Sequence, residues 1–97
     1  MRTPTGRLAK HPKDGTQLAA LMLVLWRGAQ DTTRPLYPWM RLGELARATK
    51  TTKGATSANL GNLIRRGIVC RTLAEVSEYG EVWVYRLTDF GAAAFKL

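Results

Sequence analysis

The residues best suited to hydrogen-bond recognition lie in one short stretch, residues 50–66. Ser57, Asn59 and Asn62 fall within six positions of each other. Four basic residues bracket these three: Lys50, Lys53, Arg65 and Arg66. An asparagine amide can bond both edge atoms of an adenine, and lysine and arginine side chains suit phosphate oxygens. The pattern indicates contact with a nucleic acid.

Residues for catalysis are sparse. The chain holds one histidine, His11, and one cysteine, Cys70, far apart in sequence, and it has no P-loop or dinucleotide glycine motif. Three glutamates cluster at residues 75–81, but no acid pair is placed in an evident pocket. We therefore expect no enzyme activity, no metal site and no cofactor. Cys70, on a predicted strand, is expected to be a small buried hydrophobic residue.

Two short helices around a polar turn should position the polar stretch. Leu42, Leu45 and Ala46 share one face of a helix predicted over Leu42–Thr49. Residues 50–54 interrupt that pattern with polar residues and a glycine. A second helix is predicted at about Ala55–Arg66, and Gly67 ends it.

The second helix should bury one face and present the other. Leu60, Leu63 and Ile64 lie on the predicted buried side, with Thr56 close by. The residues that the helical period turns outward are Ala55, Ala58, Asn59, Asn62, Arg65 and Arg66. Ala58 and Gly61 are small, so the backbone can approach a partner closely.

These motifs together resemble a winged helix-turn-helix protein of the MarR-like type. Ser57-x-x-Leu60-x-x-Leu63 followed by Arg66–Val69 is similar to a recognition helix, and Leu45-Ala46 is similar to the helix before it. Residues 81–91 resemble the second wing strand and the Leu-Thr-x-x-Gly motif that follows it. The resemblance covers about Leu42–Phe95. It implies a mostly helical α+β fold with a two-stranded wing hairpin.

The resemblance also implies that the second helix enters the major groove of double-stranded DNA. The candidates for base contact are Thr56, Ser57, Ala58, Asn59 and Asn62. The candidates for phosphate contact are Arg2, Arg7, Lys10, Lys50, Lys53, Arg65, Arg66 and Arg71.

The predicted wing departs from this pattern. Strands are expected at Ile68–Glu75 and Glu81–Leu87, and Glu75, Glu78 and Glu81 make the tip acidic. Phosphates repel an acidic tip, so the wing either stays off the DNA or contacts a protein partner.

Charge is concentrated toward the N-terminus. The 97 residues carry a net charge of +8. Residues 1–66 hold 12 basic and 3 acidic residues, a balance of +9, and residues 67–97 hold 3 basic and 4 acidic, a balance of −1. Residues 1–13 are predicted to form a flexible basic arm, either a solvated tail or a segment that follows the phosphate backbone. Residues 14–97 are predicted to form the winged helix-turn-helix domain.

An unbroken apolar run, Leu18–Trp26, lies in the first predicted helix. A surface helix of a globular protein shows an apolar stripe rather than an apolar cylinder. We therefore expect one face to pack inside the chain and the other to pack on a second subunit in a homodimer, with the C-terminal helix as the alternative cover. The candidate interface residues are Leu18, Leu21, Met22, Leu25 and Trp26. The run is too short to span a bilayer, and a cytoplasmic location is expected.

Three functions fit these observations. The first is a small sequence-specific DNA-binding protein, a transcriptional regulator. The second is a protein-interaction or assembly module on a winged-helix scaffold. The third is a replication or partition DNA-binding protein.

Overall fold

The computed structural model describes residues 16–78 and 80–95. This part of the chain forms four helices and a three-stranded antiparallel sheet. In chain order they are α1 (Gln17–Gly28), β1 (Met40–Arg41), α2 (Leu42–Thr49), α3 (Lys53–Arg65), β2 (Val69–Val76), β3 (Gly80–Leu87) and α4 (Asp89–Ala92), followed by a 3₁₀ turn at Ala93–Phe95. The predicted arm, with Arg2, Arg7 and Lys10, lies outside the described residues.

Helix α1 supplies the centre of the core. The Thr16 hydroxyl caps it by accepting a bond from the Ala19 N–H at 3.1 Å. Leu21, Met22 and Leu25 are 2%, 4% and 0% exposed within the single chain. Their assignment to a subunit interface is therefore wrong, because no surface of theirs is left for a second copy.

Three further residues of the apolar run also pack within the chain. Leu18, Val24 and Trp26 are partly buried against the core. The Trp26 ring stacks on Phe95, with ring centroids 5.2 Å apart and planes inclined by 21°. The C-terminal segment thus covers part of the face that the sequence assigned to a partner, and Leu18 and Trp26 are at most the edge of an interface.

Helices α2 and α3 form the predicted helix-turn-helix, with a shorter turn than expected. Helix α2 has the predicted bounds, and Lys50 ends it in the left-handed conformation at φ 56°. Helix α3 begins at Lys53 rather than Ala55, because the Thr52 hydroxyl caps it by accepting from the Ala55 N–H at 3.1 Å. Gly67, at φ +76°, follows its end. That left-handed conformation favours glycine.

The sheet has the strand order β1-β3-β2. β2 pairs with β3 in an unbroken register from Val69 opposite Leu87 to Val76 opposite Gly80. Met40 of β1 lies opposite Tyr85 on the other side of β3. Val69, Tyr85 and Leu87 belong to the same buried cluster as Leu60 and Leu63 of α3, so this face of the sheet packs on the helices.

Arg34 ties the loop between α1 and β1 to the start of α2. Its guanidinium donates to the carbonyl oxygens of Gly28 and Trp39, at 3.2 and 3.0 Å, and to the Glu44 carboxylate at 3.0 Å. Glu44 also accepts from the Arg41 N–H at 3.0 Å. Burial by itself raises the pKa of Glu44, but the Arg41 N–H and the Arg34 guanidinium together hold that pKa below its usual value of 4.5.

The short C-terminal helix is fixed to the base of the wing. Thr88 caps α4 by accepting from the Gly91 N–H at 3.0 Å, and its hydroxyl donates to the Gly67 carbonyl oxygen at 2.6 Å. No helix among the described residues is long and apolar enough to cross a membrane.

Candidate functional site

The buried face of α3 is formed by Thr56, Leu60 and Leu63, each no more than 1% exposed. The Thr56 hydroxyl bonds the Thr52 carbonyl oxygen at 2.8 Å and lies 2.7 Å from the Thr51 hydroxyl. The prediction that Thr56 contacts a base is therefore wrong: its side chain faces the core and its hydroxyl is committed to the turn.

The opposite face of α3 is a smooth ridge. Gly54, Ala58 and Gly61 are exposed or half-buried and follow each other at spacings of four and three residues, which places them on one side of a helix. Arg65 continues the same side at the C-terminal end and is exposed. A ridge of glycine and alanine lets the helix backbone come close to the base edges in a DNA groove. The arginine adds a cation at one end of the ridge.

Ser57 and Asn62 lie on the two sides of this ridge. Ser57 is exposed on the side toward the wing, and Asn62 is half-buried on the other side. Both can hydrogen-bond a ligand that lies along the ridge. The structure thus keeps these two predicted residues, with Ala58, on one accessible surface.

Asn59 is turned further toward α1 than the helical period indicated. Its amide nitrogen lies 3.4 Å from the Gln17 side-chain oxygen, and both residues line a small cavity between α1 and α3. This contact occupies one of the two N–H donors of the Asn59 amide.

The basic candidates in and next to α3 bracket the ridge. Lys50 and Lys53 are exposed at the N-terminal end, and Arg65 is exposed at the C-terminal end. Arg66 is half-buried. Lys50 lies in the turn before α3, and Lys53 and Arg65 are the first and last residues of α3. Three exposed cations placed in this way are suited to the phosphates on either side of a DNA groove.

A groove of about 230 Å³ separates α3 from the wing. Ser57, Gly61 and Arg65 line one wall, and Arg71 of β2 and Tyr85 of β3 line the other. The Arg71 guanidinium stacks over the Trp83 ring at 4.0 Å from its centroid. This stacking orients Arg71, the remaining phosphate candidate, beside the groove.

The wing beyond Arg71 is acidic and partly apolar. Glu75, Glu78 and Glu81 are exposed, as predicted from their position at the tip. Leu73 and Trp83 lie opposite each other and are 48% and 43% exposed. Cys70 is half-buried on β2.

Sequence reasoning missed the side chains that hold the turn. The Thr49 hydroxyl donates to the Leu45 carbonyl oxygen at 2.7 Å and lies 3.0 Å from the Thr51 hydroxyl, which in turn contacts Thr56. Four threonines within residues 49–56 were the available signal, since clustered hydroxyls in a turn bond to nearby backbone groups. The partner of Asn59, Gln17, had no signal, because it lies 42 residues away in sequence.

Comparison with known proteins supports the fold. No known protein family and no curated protein sequence matches the chain. Among solved structures it is similar to a "Possible transcriptional regulator from Methanosarcina mazei Go1", with a TM-score of 0.61 and 13% sequence identity. The similarity covers 86% of this chain and 62% of that one.

The fold is of the winged-helix type. The helix-turn-helix is followed by the β-hairpin as expected, and the short strand β1 before it adds a third strand to the sheet, which confirms the predicted α+β class. At 13% identity the similarity concerns the fold alone, and the MarR-like type stays a prediction.

Proposed function

We propose that this chain binds double-stranded DNA in a sequence-specific way and regulates transcription. The observation that carries the proposal is the exposed ridge of α3, with polar side chains on both sides and cations at both ends. A winged helix of this design lays that surface in the major groove. The solved protein of similar fold is described as a possible transcriptional regulator, which agrees with this proposal.

The proposed base contacts are made by Ser57, Ala58 and Asn62. Asn62 is placed to bond an adenine edge, and the Ala58 methyl can meet a thymine methyl. Asn59 is a secondary candidate because of its contact with Gln17. Lys50, Lys53, Arg65 and Arg66 are the proposed phosphate contacts, with Arg71 across the groove. No catalytic step and no cofactor are proposed.

A protein-interaction module is the second candidate function. The exposed pair Leu73 and Trp83, beside three glutamates, favours it, because such a surface suits a protein better than a phosphate backbone. A DNA-binding role in replication or partition would use the same α3 surface, and the bound sequence decides between it and regulation.

Selection of bound duplexes from a random pool, followed by fluorescence anisotropy, tests the proposal. Asn62→Ala should weaken binding to the selected site by about 1–3 kcal/mol and weaken binding to random duplex much less. Gln30→Ala removes an exposed amide in the loop after α1 and should change neither affinity.

Equal losses on the two kinds of duplex would take Asn62 out of base recognition. Failure of the pool to yield any enriched sequence, together with salt-independent binding, would contradict the DNA-binding function and favour the interaction module.

A further inference from the structure

The outer edge of the wing is a full-length open strand. β2 runs for eight residues, Val69–Val76, and pairs with β3 on one side. No other strand in residues 16–78 and 80–95 pairs with its second side. Its backbone N–H and C=O groups on that side form a template for another strand.

This edge lacks several of the features that protect open strands from pairing. Proteins block open edges with charged side chains, lysine above all, and with proline, a bulge or a very short strand. The two charged side chains of β2, Arg71 and Glu75, have opposite signs. β2 contains no lysine or proline, and its register with β3 is unbroken from Val69 to Val76, so it carries no bulge. Leu73, at its centre, is 48% exposed.

The charges along β2 complement those of a second β2 strand that runs in the opposite direction. Arg71 and Glu75 lie two residues on either side of Leu73, and all three are exposed on one face. In an antiparallel pair, directly opposite residues share a face and lie about 5 Å apart. If two β2 strands pair with Leu73 opposite Leu73, Arg71 of each copy lies opposite Glu75 of the other.

The other face fits in the same register. Thr72 lies opposite Ala74 of the second copy, and Cys70 lies opposite Val76, so no like charges meet. Within the single chain, by contrast, Glu75 lies directly opposite Glu81. Like charges in this position are destabilising, and an arginine from a second copy on the free side of Glu75 offsets the repulsion.

We infer that the occupant of this edge is a second copy of the chain, joined β2 to β2 about a two-fold axis at Leu73. The result is a six-stranded antiparallel sheet with two cross-strand Arg71–Glu75 pairs. A two-fold axis between antiparallel strands is perpendicular to the sheet, so the helix-covered faces of both copies lie on the same side. Both α3 helices then point to one side of the assembly.

Reversing the charges of Arg71 and Glu75 singly, and then exchanging the two residues, tests the proposed register between the two β2 strands. The chain of 97 residues is examined by sedimentation velocity over a wide concentration range without DNA. Wild type should be dimeric. Arg71→Glu alone and Glu75→Arg alone each replace two attractions by two repulsions, and should weaken self-association at least about tenfold.

Two combinations should restore association. The double variant Arg71→Glu/Glu75→Arg regains both opposite-charge pairs within a homodimer. An equal mixture of the two single variants should form a heterodimer, because one copy offers two glutamates and the other two arginines. Recovery in the mixture also shows that both single variants are folded. Glu78→Arg, the same charge change in the turn, should leave the dimer unchanged.

Disulfide trapping gives an independent measurement of the register. In a Cys70→Ser background, Leu73→Cys should cross-link to itself across the axis, while Thr72→Cys, on the other face and opposite Ala74, should not. If wild type is monomeric, the inference is overturned, and the open edge of β2 is available to residues 1–15 or to a different protein. A dimer that both charge reversals leave intact also overturns the inference. Neither result bears on DNA binding, which is measured separately.

Discussion

At the residue scale, the helical period predicts which way a side chain points better than it predicts which residue that side chain contacts. The pattern of leucines gave the buried side of α3 correctly, and Thr56 lies on that side, where its hydroxyl is enclosed. Around the axis of α3, Asn59 lies about 60° from the centre of the buried side, and Ser57 lies on the other flank of that side. The contact that Asn59 makes therefore depends on which element packs beside its flank. The neighbouring element is α1, and no local sequence pattern predicts where α1 lies relative to α3.

Arg34 and Glu44 make a pH-dependent contribution to stability. The pKa of Glu44 is lower in the folded chain than its usual value of 4.5. A carboxylate with a lowered folded pKa stabilises the fold above its unfolded pKa, and that stabilisation is lost as the pH falls through the folded pKa. Glu44→Gln should therefore be less stable than wild type at pH 7, by about 1 kcal/mol for a partly exposed pair. The difference should shrink toward pH 3.

Urea unfolding of both proteins at pH 7 and pH 3 measures this change. Glu78→Gln provides the matched control, since it neutralises an exposed glutamate in the wing turn. A constant difference between Glu44→Gln and wild type at the two pH values would show that the carboxylate charge does not carry the stabilisation.

At the element scale, boundaries were predictable where one local signal was dominant. Helix α2 has the predicted bounds because a polar turn follows its apolar stripe. Helix α3 starts two residues early because Thr52, and not Gly54, decides where it begins. The residues that pack on the outer face of α1 were mispredicted. An apolar run shows that a helix is buried, but it does not show which residues bury it. Here Phe95, about 70 residues later, is part of the answer.

Two glycines in helices should respond to alanine in opposite ways. At Gly61 of α3 a new methyl group meets only the Arg65 guanidinium, at 3.5 Å, so Gly61→Ala should raise stability by about 0.5–1 kcal/mol. At Gly91 of α4 the methyl would overlap the Ile68 carbonyl oxygen and lie 2.9 Å from its Cγ2. Gly91→Ala should therefore lower stability by about 1–3 kcal/mol. Thermal unfolding of the two variants compares them directly, and a gain at both positions would mean that α4 can move away from Ile68.

At the scale of the whole molecule, the asymmetry of charge follows the architecture. The helix-turn-helix carries the exposed cations Lys50, Lys53 and Arg65, while the wing tip carries three glutamates. The sequence predicted this division, since it depends on composition and order alone. The open edge of β2 was not predictable, because it depends on which strands pair.

The same asymmetry leads to a prediction about salt. Each phosphate contact that a protein makes to duplex DNA steepens the fall of log affinity with log salt by about 0.9. Lys53→Gln and Arg65→Gln, at the two ends of the ridge, should each weaken binding to any duplex and flatten that slope by about 0.9. Arg27→Gln removes the same charge from an exposed position in the last turn of α1. Because Arg27 lies on the side of α1 away from the core, it should alter net charge without altering the slope. Anisotropy titrations at several salt concentrations give the three slopes. If all three variants flatten the slope equally, the chain binds through its overall charge, and the ridge of α3 is not the surface that faces DNA.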